Sequence, residues 1–326
     1  MSKVRVAMIG CGGFQRHRLS NLLSISDVEV VALVDTSEEQ IRLTRERYAV
    51  LAQTPSFADH QTMLAEIKPD AVAIATPHTQ HVDQILDCLN AGAHTLCEKP
   101  LVTSVEDAHR VIEARDRNGK VGMVSYQRHF QAEFRYIREK IRSGEAGKVN
   151  FVQALQSQEW LRATKGTWRQ IHSLSGGGQL NDSGSHLLDI LLWVTGLQPE
   201  AVSAFSDNFG TEVDINSAVS VRFKGGAMAN MSIVGDGHAW HEDITFVCEN
   251  LTFFMRQGKL SITDVKQNRV VCEHISGGST PDKNFIDAIL GRAECESPFE
   301  CGLEVIRLTE AAWESAAAGG TVIAAK

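Results

Sequence analysis

Five short apolar runs, "VRVAMIG", "VEVVALVD", "AVAIAT", "HTLCEKP" and "KVGMVSY", alternate with amphipathic stretches through the first 125 residues. A strand apolar on both faces must be covered on both faces, and regular alternation with helices supplies that cover through crossover connections. The arrangement this dictates is a parallel sheet wrapped by helices. Helix starts are legible at Ser37 with Gln40 and at Ser104 with Asp107, each a polar cap followed three residues on by a second polar partner. Gly119 supplies a stop for the second of these helices.

After Tyr126 the pattern changes. A helix is predicted over Gln131 to Arg142, stopped by "SGEAG", followed by a strand near Val149 to Gln156 and a polar stretch with two tryptophans. A further helix is predicted from about Asp182 to Val194, closed by Gly196. From Glu200 to about Val271 the chain reads as β-runs separated by the turns "KGG", "GDG" and "CEN", as in an antiparallel sheet, and a last helical segment covers Gly302 to Ala318. With 326 residues there is chain enough for two cores. The expectation is a doubly wound α/β domain over 1–125 and an α+β domain with a largely antiparallel open sheet over 126–326, its final helix a candidate to pack back on the first.

Composition narrows the partners. Forty acidic against 32 basic residues, a net charge of −8, favours neither nucleic acid nor an anionic membrane surface. No stretch approaches the roughly 18 apolar residues of a membrane helix, and "MSKVRVAMIG" is too short an apolar run for a signal peptide. A cytoplasmic location is expected. The seven cysteines, Cys11, Cys88, Cys97, Cys248, Cys272, Cys295 and Cys301, include no CxxC pair and read as reduced, mostly buried thiols; no metal site is expected.

"MIGCGGFQRH" places Gly10, Gly12 and Gly13 between the first strand and a helix start, with Phe14 and Gln15 in its first turn. Glycines there permit a tight turn and a close approach to a pyrophosphate, whose charge meets the N–H groups of the helix start. Gln15 stands where the third glycine of the usual fingerprint falls, a departure from close helix-strand packing. Asp35 ends the next run, 23 positions beyond Gly12, close to the roughly 20 expected for a carboxylate that binds an adenosine ribose. Thr36 and Ser37 follow it rather than Arg or Lys, which favours NAD over NADP. Two more strand ends carry polar residues: Thr76-Pro77, with His78 and His81 opening the next helix, and Glu98-Lys99-Pro100, where a cis bond before Pro100 is a testable feature. Lys99 suits an oxyanion-stabilising role at a hydride-transfer site; a surface lysine paired with Glu98 is the plain alternative.

In "SGGGQLNDSGSHLLD" a helix starting at Asp182 would put Asp182 and His186 on one face, with Asp189 a turn further on. A histidine with carboxylate neighbours is a competent proton acceptor near neutral pH. An N-capping aspartate, a flexible glycine turn and a satisfied histidine explain the stretch as well. Upstream, Trp160, Trp168, Arg169 and His172 resemble a carbohydrate-binding lining, with a subunit contact as the rival explanation.

Taken in order, "GCGGF", "ATPHTQH", "CEKPL", "SYQRHF" and "GGGQLNDSGSHLLD" resemble the glucose-fructose oxidoreductase/inositol dehydrogenase/MocA (Gfo/Idh/MocA) family of NAD(P)-dependent enzymes, over almost the whole chain. The resemblance implies a Rossmann domain, then an α/β domain with a largely antiparallel sheet, commonly assembled as homodimers or homotetramers. It makes Lys99 the lysine of the EKP motif and gives Asp182 and His186 as the groups beside the nicotinamide. Asp189 becomes their support, and Arg128 a substrate or cofactor contact. Gly10, Gly12, Gly13, Phe14, Gln15, Asp35, Thr36, Thr76, Pro77, His81, Glu98 and Lys99 are the cofactor-binding candidates. Arg128, Trp160, Trp168, Arg169, His172, Asp182 and His186 are the substrate candidates. The expected activity is NAD-dependent dehydrogenation of a sugar or polyol hydroxyl. The alternatives are an NAD-retaining glycosidase working by transient oxidation and elimination, and a non-catalytic NAD sensor.

Overall fold

A computed structural model describes residues 3–271, 275 and 277–325. The chain forms two compact units: one holds the residues up to Val102, Glu106–Gln127 and Ser279–Leu303, the other Thr103–Val105, Arg128–Gly278 and the residues from Glu304 onward.

The first unit runs β1 (Val4–Ile9), α1 (Gly13–Ser24), β2 (Val28–Val34), α2 (Glu38–Arg47), β3 (Ser56–Phe57), α3 (His60–Ile67), β4 (Ala71–Ile74), α4 (His81–Asn90), β5 (His94–Cys97), α5 (Val105–Asn118) and β6 (Gly122–Val124). The six strands lie in the order β3-β2-β1-β4-β5-β6, every pairing parallel. β4 is buried at all four positions, as a strand covered on both faces requires. The order reverses on either side of β1, so the ends of β1, β2, β4 and β5 border the crevice where open α/β sheets bind ligands. Ser37 caps α2 by accepting the Gln40 N–H, and Gly119 turns left-handed (φ 61°) after α5.

The second unit holds α6 (Ala132–Arg142), β7 (Val149–Glu159), α7 (Trp160–Ala163), α8 (His172–Ser175), α9 (Gly184–Thr195), β8 (Pro199–Asp207), β9 (Asn216–Phe223), β10 (Met228–Val234), β11 (Asp236–Cys248), β12 (Leu251–Arg256), β13 (Lys259–Asp264) and β14 (Arg269–Val270). The chain then forms α10 (Pro281–Ile289) in the first unit, α11 (Phe299–Ala317), and β15 (Ile323–Ala324). Nine strands form one sheet, β14-β13-β12-β11-β7-β10-β9-β8-β15, antiparallel except between β7 and β10. α9 lies against α6 and β7 and is buried on nearly every face.

Two local expectations change. "GDG" is not a turn, since Asp236 already belongs to β11 and pairs with Glu159, leaving Gly235 alone between β10 and β11. α9 begins at Gly184 rather than Asp182, so Asp182 and His186 do not share a regular helical face. Four of the described cysteines are buried and two half-buried, with no disulfide among them, while Cys272 lies outside the described residues. Burial pushes the thiol of Cys11 up to about 12 and those of Cys248 and Cys295 up to about 11. Such thiols are inert near neutral pH.

Candidate active site

In the first unit the glycine turn has the geometry of a phosphate cradle. Gly10 adopts φ +82°, and a Cβ there would lie 2.6 Å from the Ala75 carbonyl oxygen, so only glycine lets the turn approach the end of β4. A Cβ on Gly12 would meet nothing within 4 Å, which leaves open space over the turn. Gly12 is the N-cap of α1 and makes no side-chain cap, so no cap side chain competes with an anion for the first N–H groups. Phe14 is exposed in that first turn.

Gln15 does not line this space. Fully buried, it donates from Nε2 to the Ala73 carbonyl on β4 at 2.8 Å. The contact that a third glycine makes by close approach is made here by an amide reaching into the sheet. Asp35 accepts the Cys11 N–H at 2.7 Å and the Ser37 N–H at 2.8 Å, one on each oxygen. The carboxylate therefore stands fixed beside the turn, with acceptor capacity left on both oxygens for a diol. A hollow of about 970 Å³ adjoins it, lined by Asp35, Thr36, Arg42, Arg45 and Phe57 among others. Turn, helix start and carboxylate fit an NAD-type dinucleotide.

The other two strand ends are tied together. His81 is fully buried, with Nδ1 2.9 Å from the Pro100 carbonyl and Nε2 3.1 Å from the Thr76 carbonyl. Burial holds its imidazole below the usual histidine range, against the pull of the two carbonyls, which favour the charged ring. His81 thus positions the loops after β4 and β5 and offers no surface to a ligand. Thr76 donates its hydroxyl to Gln84 at 2.6 Å, and Pro77 leads into a short turn whose His78 is buried. Glu98 is buried and ion-paired with Arg18 of α1, and it accepts the Lys99 N–H at 3.2 Å. The Lys99-Pro100 bond is cis.

In the second unit Asp182, Trp160 and Arg169 come together. Asp182 is buried, and its Oδ2 accepts Trp160 Nε1 at 2.9 Å and Arg169 Nε at 3.0 Å. Trp168 lies under the Arg169 guanidinium, 4.6 Å from Cζ to ring centroid. His186 is half-buried in the first turn of α9, its N–H on the Ser183 carbonyl. His172 stands apart, exposed, its N–H on Glu212 at 2.9 Å.

Arg128 and Asp189 take other partners than expected. Arg128 is buried in an ion pair with Glu242, and its Nη1 lies 3.4 Å from the His186 carbonyl, so it braces α9. Asp189 is buried against His129 at 2.9 Å, and His129 stacks on Trp193 at 4.3 Å, locking α9 to the turn before α6. Burial pushes the Asp189 carboxyl up.

The glycine run before Asp182 meets protein. A Cβ on Gly176 would lie 2.3 Å from Thr103, one on Gly177 2.4 Å from the Trp313 ring, and one on Gly178 1.8 Å from the Asp214 carbonyl oxygen. Asp214, unmarked in the sequence, accepts the N–H groups of Gly178 (3.0 Å) and Leu180 (2.7 Å) and Trp313 Nε1 (2.9 Å). Its own carbonyl accepts the Gln179 N–H at 2.8 Å. That clamp seats the segment leading to Asp182 and His186.

Cradle, ribose-type carboxylate and doubly wound sheet define the first unit as an NAD-binding Rossmann domain, joined to an antiparallel-sheet unit carrying a buried aspartate and a helix-start histidine. Residues 4–126 match the oxidoreductase family with NAD-binding Rossmann fold, and residues 134–253 match the GFO/IDH/MocA C-terminal domain. The chain belongs to the Gfo/Idh/MocA family and is an oxidoreductase of that family. It is 30% identical to the D-glucoside 3-dehydrogenase of Escherichia coli over 65% of this chain, and the match spans 60% of that relative's length. It is 24% identical to the myo-inositol 2-dehydrogenase of Thermotoga maritima over 69% of this chain and 66% of the relative. Its fold matches the WlbA dehydrogenase of Bordetella pertussis, solved with NADH and UDP-GlcNAcA, at a TM-score of 0.87, with 24% identity and coverage of 99% of this chain and 98% of that one.

Proposed function

We propose that the protein is an NAD-dependent dehydrogenase that moves a hydride between the nicotinamide and a secondary hydroxyl or ketone of a sugar, polyol or sugar derivative. The observation that carries it is the buried Asp182 carboxylate, fixed by Trp160 and Arg169 in the turn that opens the His186 helix, in a chain whose first unit holds a dinucleotide cradle. The glucoside and inositol dehydrogenases among its relatives support the substrate class.

A bound nicotinamide would supply the hydride acceptor for oxidation and the hydride donor for reduction. His186 takes the hydroxyl proton during oxidation and returns it during reduction. Lys99 stabilises the developing alkoxide. Asp182, its Oδ2 held by two donors, orients a second hydroxyl or His186. Preference for NAD follows from Asp35, whose carboxylate would oppose a 2′-phosphate. The arginines of the adjoining hollow are engaged: Arg42 pairs with Glu39 and Glu46, and Arg45 donates to the Thr54 carbonyl and Ser56.

A screen of sugars and polyols with NAD and with NADP, followed by nicotinamide absorbance, tests the reading. In the same assay His186→Ala should cut turnover by about 10²- to 10⁴-fold while NAD still binds. Unchanged turnover removes His186 from its role, and release of an aglycone without net NADH replaces the dehydrogenase by a glycosidase.

A further inference from the structure

Arg169 carries more than its bond to Asp182. Its guanidinium is fixed twice, by Nε on Asp182 and by the face of Trp168, while the side chain is 37% exposed against 6% for that of Asp182. Among the described residues nothing accepts a hydrogen bond from Nη1 or Nη2. The result is a donor fork held in place at its base and open at its tip, beside the carboxylate that leads into the His186 helix. Arginine has five N–H donors and no acceptor. A sugar hydroxyl docked on such a fork brings a donor of its own that the guanidinium cannot satisfy, whereas a carboxylate brings two acceptor oxygens at matching spacing. Because the guanidinium is already immobilised by Asp182 and Trp168, little further order is lost when such an anion docks.

We propose that Nη1 and Nη2 of Arg169 form a carboxylate-binding fork, and that the substrate is an acidic sugar of the uronate or aldonate class. This rests on the sugar-dehydrogenase reading of the same site and sharpens its substrate.

The test is calorimetric binding to the NADH-loaded enzyme of matched ligands: D-glucuronate against D-glucose, D-galacturonate against D-galactose, with glucose 6-phosphate as the rival anion. The acid of each pair should bind about ten- to a hundredfold more tightly than the neutral sugar, the span of charge-assisted hydrogen bonds. In Arg169→Gln that ratio should fall to about one. This variant also strips Asp182 of a partner, which weakens both members alike, so the ratio isolates the fork. Arg169→Lys keeps the charge without the fork and should recover only part of the preference. Neutral sugars bound as tightly as acids, tighter binding of the phosphate, binding of neither member, or a ratio unmoved in Arg169→Gln would overturn the proposal. Uronate binding without NAD reduction leaves the fork standing and sinks the dehydrogenase reading. Reduction of NAD by neutral sugars without acid preference does the reverse.

Discussion

At the scale of single residues, the strongest constraint on the EKP loop is a buried charge. Arg18 of α1 is 3% exposed and faces both Glu98 and Asp282, the latter at 3.5 Å, while Asp282 also accepts Asn21 Nδ2 at 3.1 Å. Removing one partner of such a set leaves buried charge without compensation, which costs more than the pairing itself gains. Arg18→Met should therefore lower the free energy of unfolding by about 3–5 kcal/mol, measured in denaturant. A loss below about 1 kcal/mol would show the network to be solvated and the reading of Arg18 wrong. The sequence marked Glu98 and Lys99 through a strand end and a proline, but Arg18 has no local signature. Its partners lie 80 and 264 residues away, and pairing at such separations is set by the fold. Gln15 is the converse case: the departure from the glycine pattern was visible, its inward amide was not.

At the scale of elements, the segment into α9 depends on a clamp from a different strand connection. Asp214 takes three donors, two of them backbone N–H groups of Gly178 and Leu180. Burial pushes its carboxyl up, against the pull of those donors. Asp214→Ala orphans the donors at about 1–3 kcal/mol each where they stay buried. It should lower the melting temperature and, by loosening the approach to Asp182, also lower kcat while NAD affinity is kept. Gly178→Ala should be as damaging, because its Cβ would fall 1.8 Å from a backbone oxygen, which no rotamer change relieves. Equal kcat in soluble, folded Asp214→Ala protein would separate the clamp from catalysis. Local pattern found the helix and its Gly196 stop, since both are written in neighbouring residues. It could not place the start, because the N–H of Leu180 is claimed from 34 positions away, which holds 178–183 in turns before Gly184.

At the scale of the whole molecule, the change from alternating to successive strands was legible because each sheet type writes its own period. The return of Ser279–Leu303 to the first unit was not, since α10 is an ordinary amphipathic helix whose address is fixed by Asp282 meeting Arg18. The nine-stranded sheet bears on assembly. One face carries α9 against β7, with α6 packed on α9, and the residues that alternate with that core point the other way. Among them Phe151 pairs across strands with Val247, and Phe254 pairs with Thr245, which puts three half-exposed apolar side chains on adjacent strands β7, β11 and β12. Apolar side chains presented on the outer face of a sheet are candidates for an association site. We propose a homodimer or homotetramer closed across this face. Light scattering should give a mass of at least twice the 35.7 kDa chain. Val247→Glu with Phe254→Glu should drive it toward the monomer while the circular dichroism of the sheet is kept, because buried unpaired carboxylates oppose association across an isologous contact twice over. A wild-type protein monomeric at micromolar concentration, or a double variant of unchanged mass, would move the association site off this face.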